Sequence, residues 1–191
     1  MGARTNTRDR MITGAATLLA EKGLPGTTIA AVLERTGTPR GSVPHHFPGG
    51  RTELLREAVL MVGADVADRL RTAEHRGASP AEIITLICDH FRDRLIATGY
   101  TAGCPVWAVV QDAAGFPDLA GTAAEVVDNW TGLIAGTLVP LGYAPASART
   151  TASFILSSVE GALALSRLTR STRPLDDAAD TLSRIISGTA W

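Results

Sequence analysis

A chain of 191 residues that is 45% hydrophobic and 19% charged can fold around its own apolar core without disulfides, and it lies outside the composition range of disordered proteins. The net charge of −1 says nothing by itself about a nucleic-acid partner, but its distribution is uneven. Residues 1–56 hold eight basic side chains (Arg4, Arg8, Arg10, Lys22, Arg35, Arg40, Arg51, Arg56) against four acidic ones (Asp9, Glu21, Glu34, Glu53), a balance of +4 that leaves −5 for the rest. A basic first quarter joined to an acidic body suits a chain with one end turned toward a polyanion.

From Thr7 to Lys22 the apolar residues Ile12, Ala15, Ala16 and Leu19 recur at helical spacing, with Gly23 as a stop. After the Leu24–Gly26 connection, Thr27 or Thr28 can cap a second helix that carries Ile29, Val32 and Leu33 inward and ends at Gly37. Thr38 as cap and Pro39 at the first position predict a third, short helix running out near Phe47, before Pro48-Gly49-Gly50. A long helix is expected from Arg51 to about Arg76. The next starts at Ser79-Pro80-Ala81-Glu82, where Ser79 and Glu82 have capping-box spacing, and reaches about Ala97. Cys104–Ala114 predicts a short helix, and Pro117 starts another that runs to Pro140. Ala144-Pro145-Ala146 leads into a very apolar helix through Phe154 and Leu165 toward Arg167, and Leu175–Ile186 is a final amphipathic helix. The fold class is all-α, about nine helices, with no strands expected.

Cys88 and Cys104 are too few for a disulfide framework and lack CxxC pairing. The basic stretch Met1–Arg10 has no apolar run behind it of the kind a secretory signal needs. The most apolar segment, Leu133–Leu141, is well short of the roughly 20 residues of a membrane span. A cytoplasmic protein without membrane association is expected. The chain shows no GxSxG, P-loop, HExxH or glycine-rich dinucleotide turn, so an enzyme is not expected. His45 and His46 are adjacent on a helix, point about 100° apart and have no clustered carboxylates or cysteines beside them, so no metal and no cofactor are expected.

Two helices separated by a tight Gly-containing turn have the layout of a helix-turn-helix, whose last helix enters the major groove. Residues Thr27-Thr28-Ile29-Ala30-Ala31-Val32, followed by Thr36-Gly37-Thr38-Pro39-Arg40-Gly41-Ser42-Val43-Pro44-His45-His46-Phe47, resemble the DNA-binding signature of the TetR family, over roughly residues 8–60. Gly103-Cys104-Pro105-Val106, Glu160-Gly161-Ala162-Leu163 and Arg170-Ser171-Thr172-Arg173-Pro174-Leu175 are similar to its LmrA/YxaF-like branch. The resemblance implies a helix-turn-helix domain at residues 1–50 and a ligand-binding and dimerisation domain at 51–191. It also implies a repressor released from a palindromic double-stranded operator by a small apolar or aromatic effector. One departure stands out: Pro44 replaces the tyrosine that the family usually places before His-His-Phe, where its hydroxyl contacts a phosphate. Pro44 would also remove a bond to the Arg40 carbonyl and kink or shorten the helix.

Chemistry assigns Thr27, Thr28 and Arg51 to phosphates, through hydroxyls, helix amides or a guanidinium. Thr38, Pro39, Arg40, Ser42, His45 and His46 lie on or near the third helix, and Arg40 is the expected base reader, able to give guanine two bonds. Candidate pocket residues in the body are Phe91, Cys104, Trp107, Val110, Gln111, Trp130, Phe154 and Ser158, each equally readable as core. The resemblance implies a homodimer through the last two helices, with Phe154, Val159, Gly161, Ala162, Leu165, Leu182 and Ile185 at the interface. The rival reading is a helical enzyme or ligand-binding protein whose amino-terminal corner is only structural.

Overall fold

The computed structural model describes residues 2–188, with side chains from Thr7 onward. The described residues form nine α-helices: α1 (Gly2–Gly26), α2 (Ile29–Thr36), α3 (Ser42–His46), α4 (Gly50–His75), α5 (Pro80–Ala97), α6 (Pro105–Gln111), α7 (Pro117–Leu138), α8 (Pro145–Thr169) and α9 (Arg173–Ile186), with 3-10 turns at Ala113–Gly115 and Val139–Leu141 and no strand. Proline opens α5, α6 and α8 in the first turn, where its missing N–H deprives no carbonyl of a partner. The capping box on α5 is complete: Ser79 Oγ accepts from the Glu82 amide at 3.3 Å and Glu82 Oε2 accepts from the Ser79 amide at 2.7 Å. The Ser79 amide, together with the Ser79 hydroxyl, which donates to Glu82 Oε2 at 2.8 Å, holds the Glu82 carboxyl below its ordinary pKa.

α1 is broken at Gly23, whose φ of 69° and ψ of −177° lie outside helical geometry, so the stop expected there is a kink before one further turn. α2 ends on Gly37 in the left-handed conformation, φ 61°, and the Gly37 amide bonds the Leu33 carbonyl. The third helix departs from expectation. It begins at Ser42 rather than Pro39, has no side-chain cap, and spans five residues. Residues 38–41 form a turn instead, closed by Ser42 N–H to Pro39 O at 2.9 Å. Pro44 accounts for the shift. In a helix starting at Pro39 it would sit in the interior and deprive the Arg40 carbonyl of its donor. With the start at Ser42 it falls in the first turn, where no intrahelical donor is required.

By their contacts the residues divide into two compact units. The first comprises the chain up to Ala64 together with Cys104–Val126. α1 packs there on α2 and α6, around the buried side chains Met11, Ala15, Leu18, Leu19, Leu24, Val32, Phe47, Leu54, Leu55, Val106, Val109 and Leu119. Two close approaches fix its geometry. A Cβ on Gly63 would come within 2.8 Å of the Val126 methyls, and one on Gly14 would overlap the Thr36 methyl. The second unit comprises Asp65–Gly103 and the residues from Val127 on. α5, α8 and α9 pack on one another there, burying Ile83, Ile84, Cys88, Leu95, Ile155, Val159, Leu163, Leu175, Leu182 and Ile186. Arg92 on α5 ties α9 by donating from Nε to Asp176 Oδ1 at 2.8 Å. Burial pushes the Cys88 thiol up to about 11. The linear division expected at residue 50 is therefore not the division of contacts: the first unit also takes in the first half of α4 and residues 104–126.

No helix among the described residues is long and apolar enough to cross a membrane.

Candidate nucleic-acid interface

Every group in the first unit that faces a duplex must be exposed and uncommitted to the fold, because a side chain already bonded inside the protein has no donor left for a phosphate or a base edge. Thr28 meets this condition in part. It is exposed and caps α2 by accepting from the Ala31 amide at 3.1 Å, which leaves its O–H proton free to donate. Arg40, in the turn before α3, is exposed, and its guanidinium has no hydrogen bond or ion pair among the described residues. Pro39 and His45 are exposed, and Ser42 and His46 are half-buried. His45 and His46 meet edge to face with ring centroids 4.8 Å apart, and His46 meets Phe47 at 6.4 Å. Phe47, fully buried, anchors the carboxy-terminal end of α3, and its amide closes the helix on Val43 O at 2.7 Å.

Three expected contact residues have other work. Thr27 is fully buried and its hydroxyl donates to Gly23 O at 2.7 Å, so it supports the kink and cannot reach a phosphate. Thr38 is buried too; its hydroxyl pairs with that of Thr36 at 2.7 Å instead of capping α3. Arg51 turns inward: Nε donates to Thr27 O at 2.8 Å, Nη2 donates to Leu24 O, and the guanidinium lies over the Phe116 ring, 5.5 Å from its centroid. Leu24 O also accepts from the Thr27 amide at 3.2 Å, and Thr27 O lies just ahead of the α2 cap; Arg51 gives each of these two carbonyls a side-chain donor. Thr27 and Arg51, expected at phosphates, and Thr38, expected at the start of the third helix, thus have these polar atoms engaged within the protein.

The other arginines of this unit are also committed. Arg35 pairs with Glu21, with Nη1 to Oε1 at 3.1 Å and a second bond beside it, and that bonding raises its pKa. Arg10 donates to Thr36 O. Arg8 pairs with Glu57 at 3.1 Å and lies over the Phe47 ring at 5.5 Å. Among the described side chains of residues 7–56, the cations left without a partner are Lys22, Arg40 and Arg56, all exposed. Sequence alone could not separate these from the rest, because the partners lie from 14 (Arg35 to Glu21) to 49 residues away (Arg8 to Glu57).

A short exposed helix following α2 across a glycine turn, with an unpaired arginine at its entrance, is the geometry of a helix-turn-helix reading head. Residues 11–58 match the family described as bacterial regulatory proteins, tetR family, and residues 80–181 match the LmrA/YxaF-like transcriptional regulator carboxy-terminal domain. The chain belongs to the TetR family of transcriptional regulators. It is 39% identical over 175 residues to the HTH-type transcriptional regulator Rv0196 of Mycobacterium tuberculosis, covering 88% of both chains. It is 27% identical to the HTH-type transcriptional regulator YxaF of Bacillus subtilis, covering 92% of each. A TetR transcriptional regulator from Legionella pneumophila has the same fold, with a TM-score of 0.83 at 21% identity over the whole of both chains. As a TetR-family member the chain is a DNA-binding transcriptional regulator.

The eight pocket candidates of this TetR protein split evenly between the two units. Cys104 is buried at the start of α6, Trp107 and Val110 are half-buried and Gln111 is exposed on it, all in the first unit. Phe91 on α5 and Trp130 on α7 are buried, Ser158 on α8 is half-buried and Phe154 is 55% exposed, all in the second. Phe154 is too open for the wall of an enclosed pocket; its exposure fits the other role expected of it. It shares an outward stripe of α8 with Ser157, Gly161, Ala164, Leu165 (54% exposed) and Leu168 (79%), at spacings of three and four. Ile185 on α9 is also exposed. Val159, Ala162 and Leu182, expected at an interface, are instead buried within the single chain, packed in its own core.

Proposed function

We propose that this regulator is a homodimeric repressor whose two copies of α3 read a palindromic operator, and that a small apolar or aromatic effector releases it. Residues 1–50 serve as the reading head and 51–191 as the effector-binding and dimerising body, acting in the cytoplasm. One observation carries the DNA-reading part. Arg40 stays exposed and unpaired beside Ser42 and His45, whereas Arg8, Arg10, Arg35 and Arg51 are all tied inside the protein. An arginine held at the entrance of a major-groove helix suits bidentate bonds to guanine O6 and N7. Thr28, with its free hydroxyl proton and the α2 amides behind it, serves a phosphate.

The dimer rests on the α8 stripe. Leucines that are half to four-fifths exposed on one face of a 25-residue helix are costly in water, at about 25 cal/mol for each Å² left uncovered. Gly161 and Ala164 between them let a second helix approach closely. An isologous contact of this face with its own copy gives the two-fold symmetry that a palindrome requires. Effector release requires a ligand that binds the non-operator arrangement more tightly than the operator-bound one.

Selection of bound sequences from random duplex DNA, repeated with apolar and aromatic compounds, tests the proposal. Enrichment of a palindrome with half-sites about one helical turn apart, or a multiple of it, is expected, together with weaker retention when an effector is present. Failure to retain any duplex in dilute buffer would overturn the reading, and a monomer at micromolar concentration would overturn its symmetry.

A further inference from the structure

The unused machinery of the first unit lies behind the reading head, where the Arg51 guanidinium is enclosed from three sides. Below it are the Leu24 and Thr27 carbonyls, which follow the kink at Gly23 (φ 69°) and accept from Nη2 and Nε respectively. Beside it is the start of α4, which supplies Arg51 itself. Over its face lies Phe116, between the 3-10 turn Ala113–Gly115 and the first residue of α7, with the guanidinium carbon 5.5 Å from the ring centroid. Thr28, next after the clasped Thr27, is the cap of α2. The position of the α2 amino terminus is therefore set by a guanidinium whose exposed face is closed by a ring 65 residues further along the chain.

We infer that Arg51 and Phe116 are positioning residues for operator binding: the ring of Phe116 shields the Arg51 guanidinium, and the shielded guanidinium holds the α1–α2 corner at the angle from which Thr28 and α3 meet DNA. The chemistry of each part is specific. A planar guanidinium has enough donors in fixed directions to serve two carbonyls at once, which a lysine ammonium on a flexible stem does not reproduce. The aromatic face attracts the cation and excludes water from one side of it, strengthening both carbonyl bonds. A leucine of similar apolar bulk fills the space but has no quadrupole to offer. Arg51 acts here without touching DNA, so its loss removes no phosphate contact and releases no fewer counterions.

The inference rests on the DNA-reading function proposed above, and the full-length protein distinguishes the two. Phe116→Tyr and Phe116→Leu are compared with the parent for binding to the selected operator across a series of salt concentrations, alongside Arg51→Lys and Arg51→Gln. Phe116→Tyr is expected to bind as the parent does. Phe116→Leu and Arg51→Lys are expected to bind about three- to tenfold more weakly, with the slope of log affinity against log salt unchanged. Equal affinity for the Leu and Tyr variants overturns the role of the ring. A slope reduced by about one unit in Arg51→Gln, which removes the charge, makes Arg51 a phosphate ligand and overturns the clasp. Amide hydrogen exchange at residues 27–32 reads the same contact without DNA: faster exchange in Phe116→Leu than in Phe116→Tyr supports the clasp, and equal rates reject it. If the parent binds no duplex at all, the proposed function falls, and the exchange rates still decide the clasp.

Discussion

α5 starts on Ser79, whose hydroxyl and amide exchange hydrogen bonds with Glu82, has proline in its first turn, and buries Ile83, Ile84, Cys88, Phe91 and Leu95 along its length. α3 starts on Gly41 with no side-chain cap, carries Pro44 in its five residues, and has no side chain fully buried. Local sequence holds α5 in place. What holds α3 is its neighbourhood: Phe47 sunk in the core behind it, Arg8 lying over that ring, and the Glu53 carboxylate accepting from the Gly49 amide at 2.7 Å to set the turn into α4. A helix meant to be read by another molecule must leave its side chains free, so its stability has to come from residues outside it.

The largest break in this contrast is expected at Phe47. Truncation to alanine empties a fully buried site and should cost about 3 to 5 kcal/mol of stability, with loss of DNA binding; denaturant unfolding monitored by circular dichroism measures it. A change under about 1 kcal/mol would mean that α3 is held by something else. Arg40→Ala, exposed and unpaired, should leave stability within about 0.5 kcal/mol while costing about 1 to 3 kcal/mol of operator affinity and relaxing base preference at one position. Unchanged binding and preference would remove Arg40 from the interface. On the α5 side, Ser79→Ala should lose about 1 kcal/mol of stability without changing operator affinity at saturating protein folding, which thermal unfolding and anisotropy titration together would show.

Pro44→Ala sharpens the comparison. In the first turn of α3 proline deprives no carbonyl of a partner, so the substitution should alter stability by no more than about 0.5 kcal/mol. A gain near 3 kcal/mol would instead put Pro44 in a helix interior. The smallest effect is expected at His90. Burial, then Arg69 and Arg94, lower its pKa, so the neutral ring is favoured in the folded protein relative to the unfolded chain. Its contribution is fully present above the unfolded value of about 6.5 and is lost as pH falls from there through the folded value. His90→Gln should therefore show a smaller drop in melting temperature between about pH 8 and about pH 5 than the parent. An identical drop would exclude His90 as a source.

Much of the scaffold is legible in the sequence because its signals are local. Pro80, Pro117 and Pro145 mark helix starts, Gly37 and Gly142 mark ends with left-handed φ, and Ser79 with Glu82 announces a complete capping box. α3 starts three residues later than Pro39 although Thr38 and Pro39 have the right chemistry for a start, because Pro44 fits the first turn of a helix but not the interior of one. The roles of Thr27 and Arg51 were not legible at all. A hydroxyl or guanidinium reads as available for DNA until the carbonyls it serves are located, and here those are Gly23 O for Thr27 and the Leu24 and Thr27 carbonyls for Arg51. The same holds for α8: spacing shows a stripe, but only packing shows that Val159 and Ala162 face inward and Leu165 and Leu168 outward.

The overlap that a Cβ on Gly14 would make with the Thr36 methyl has a consequence for how this head can change. Thr36 cannot swing its methyl aside cheaply, since its hydroxyl is bonded to Val32 O at 2.8 Å and to the Thr38 hydroxyl. Even an alanine at position 14 would act as a wedge at the seam where α1 meets the far end of α2, tilting the pair that aims α3. Under the proposed reading, operator preference would drift through Arg40, Ser42 and His45, whereas the angle of approach would be set at the α1–α2 seam, away from the helix that reads the bases.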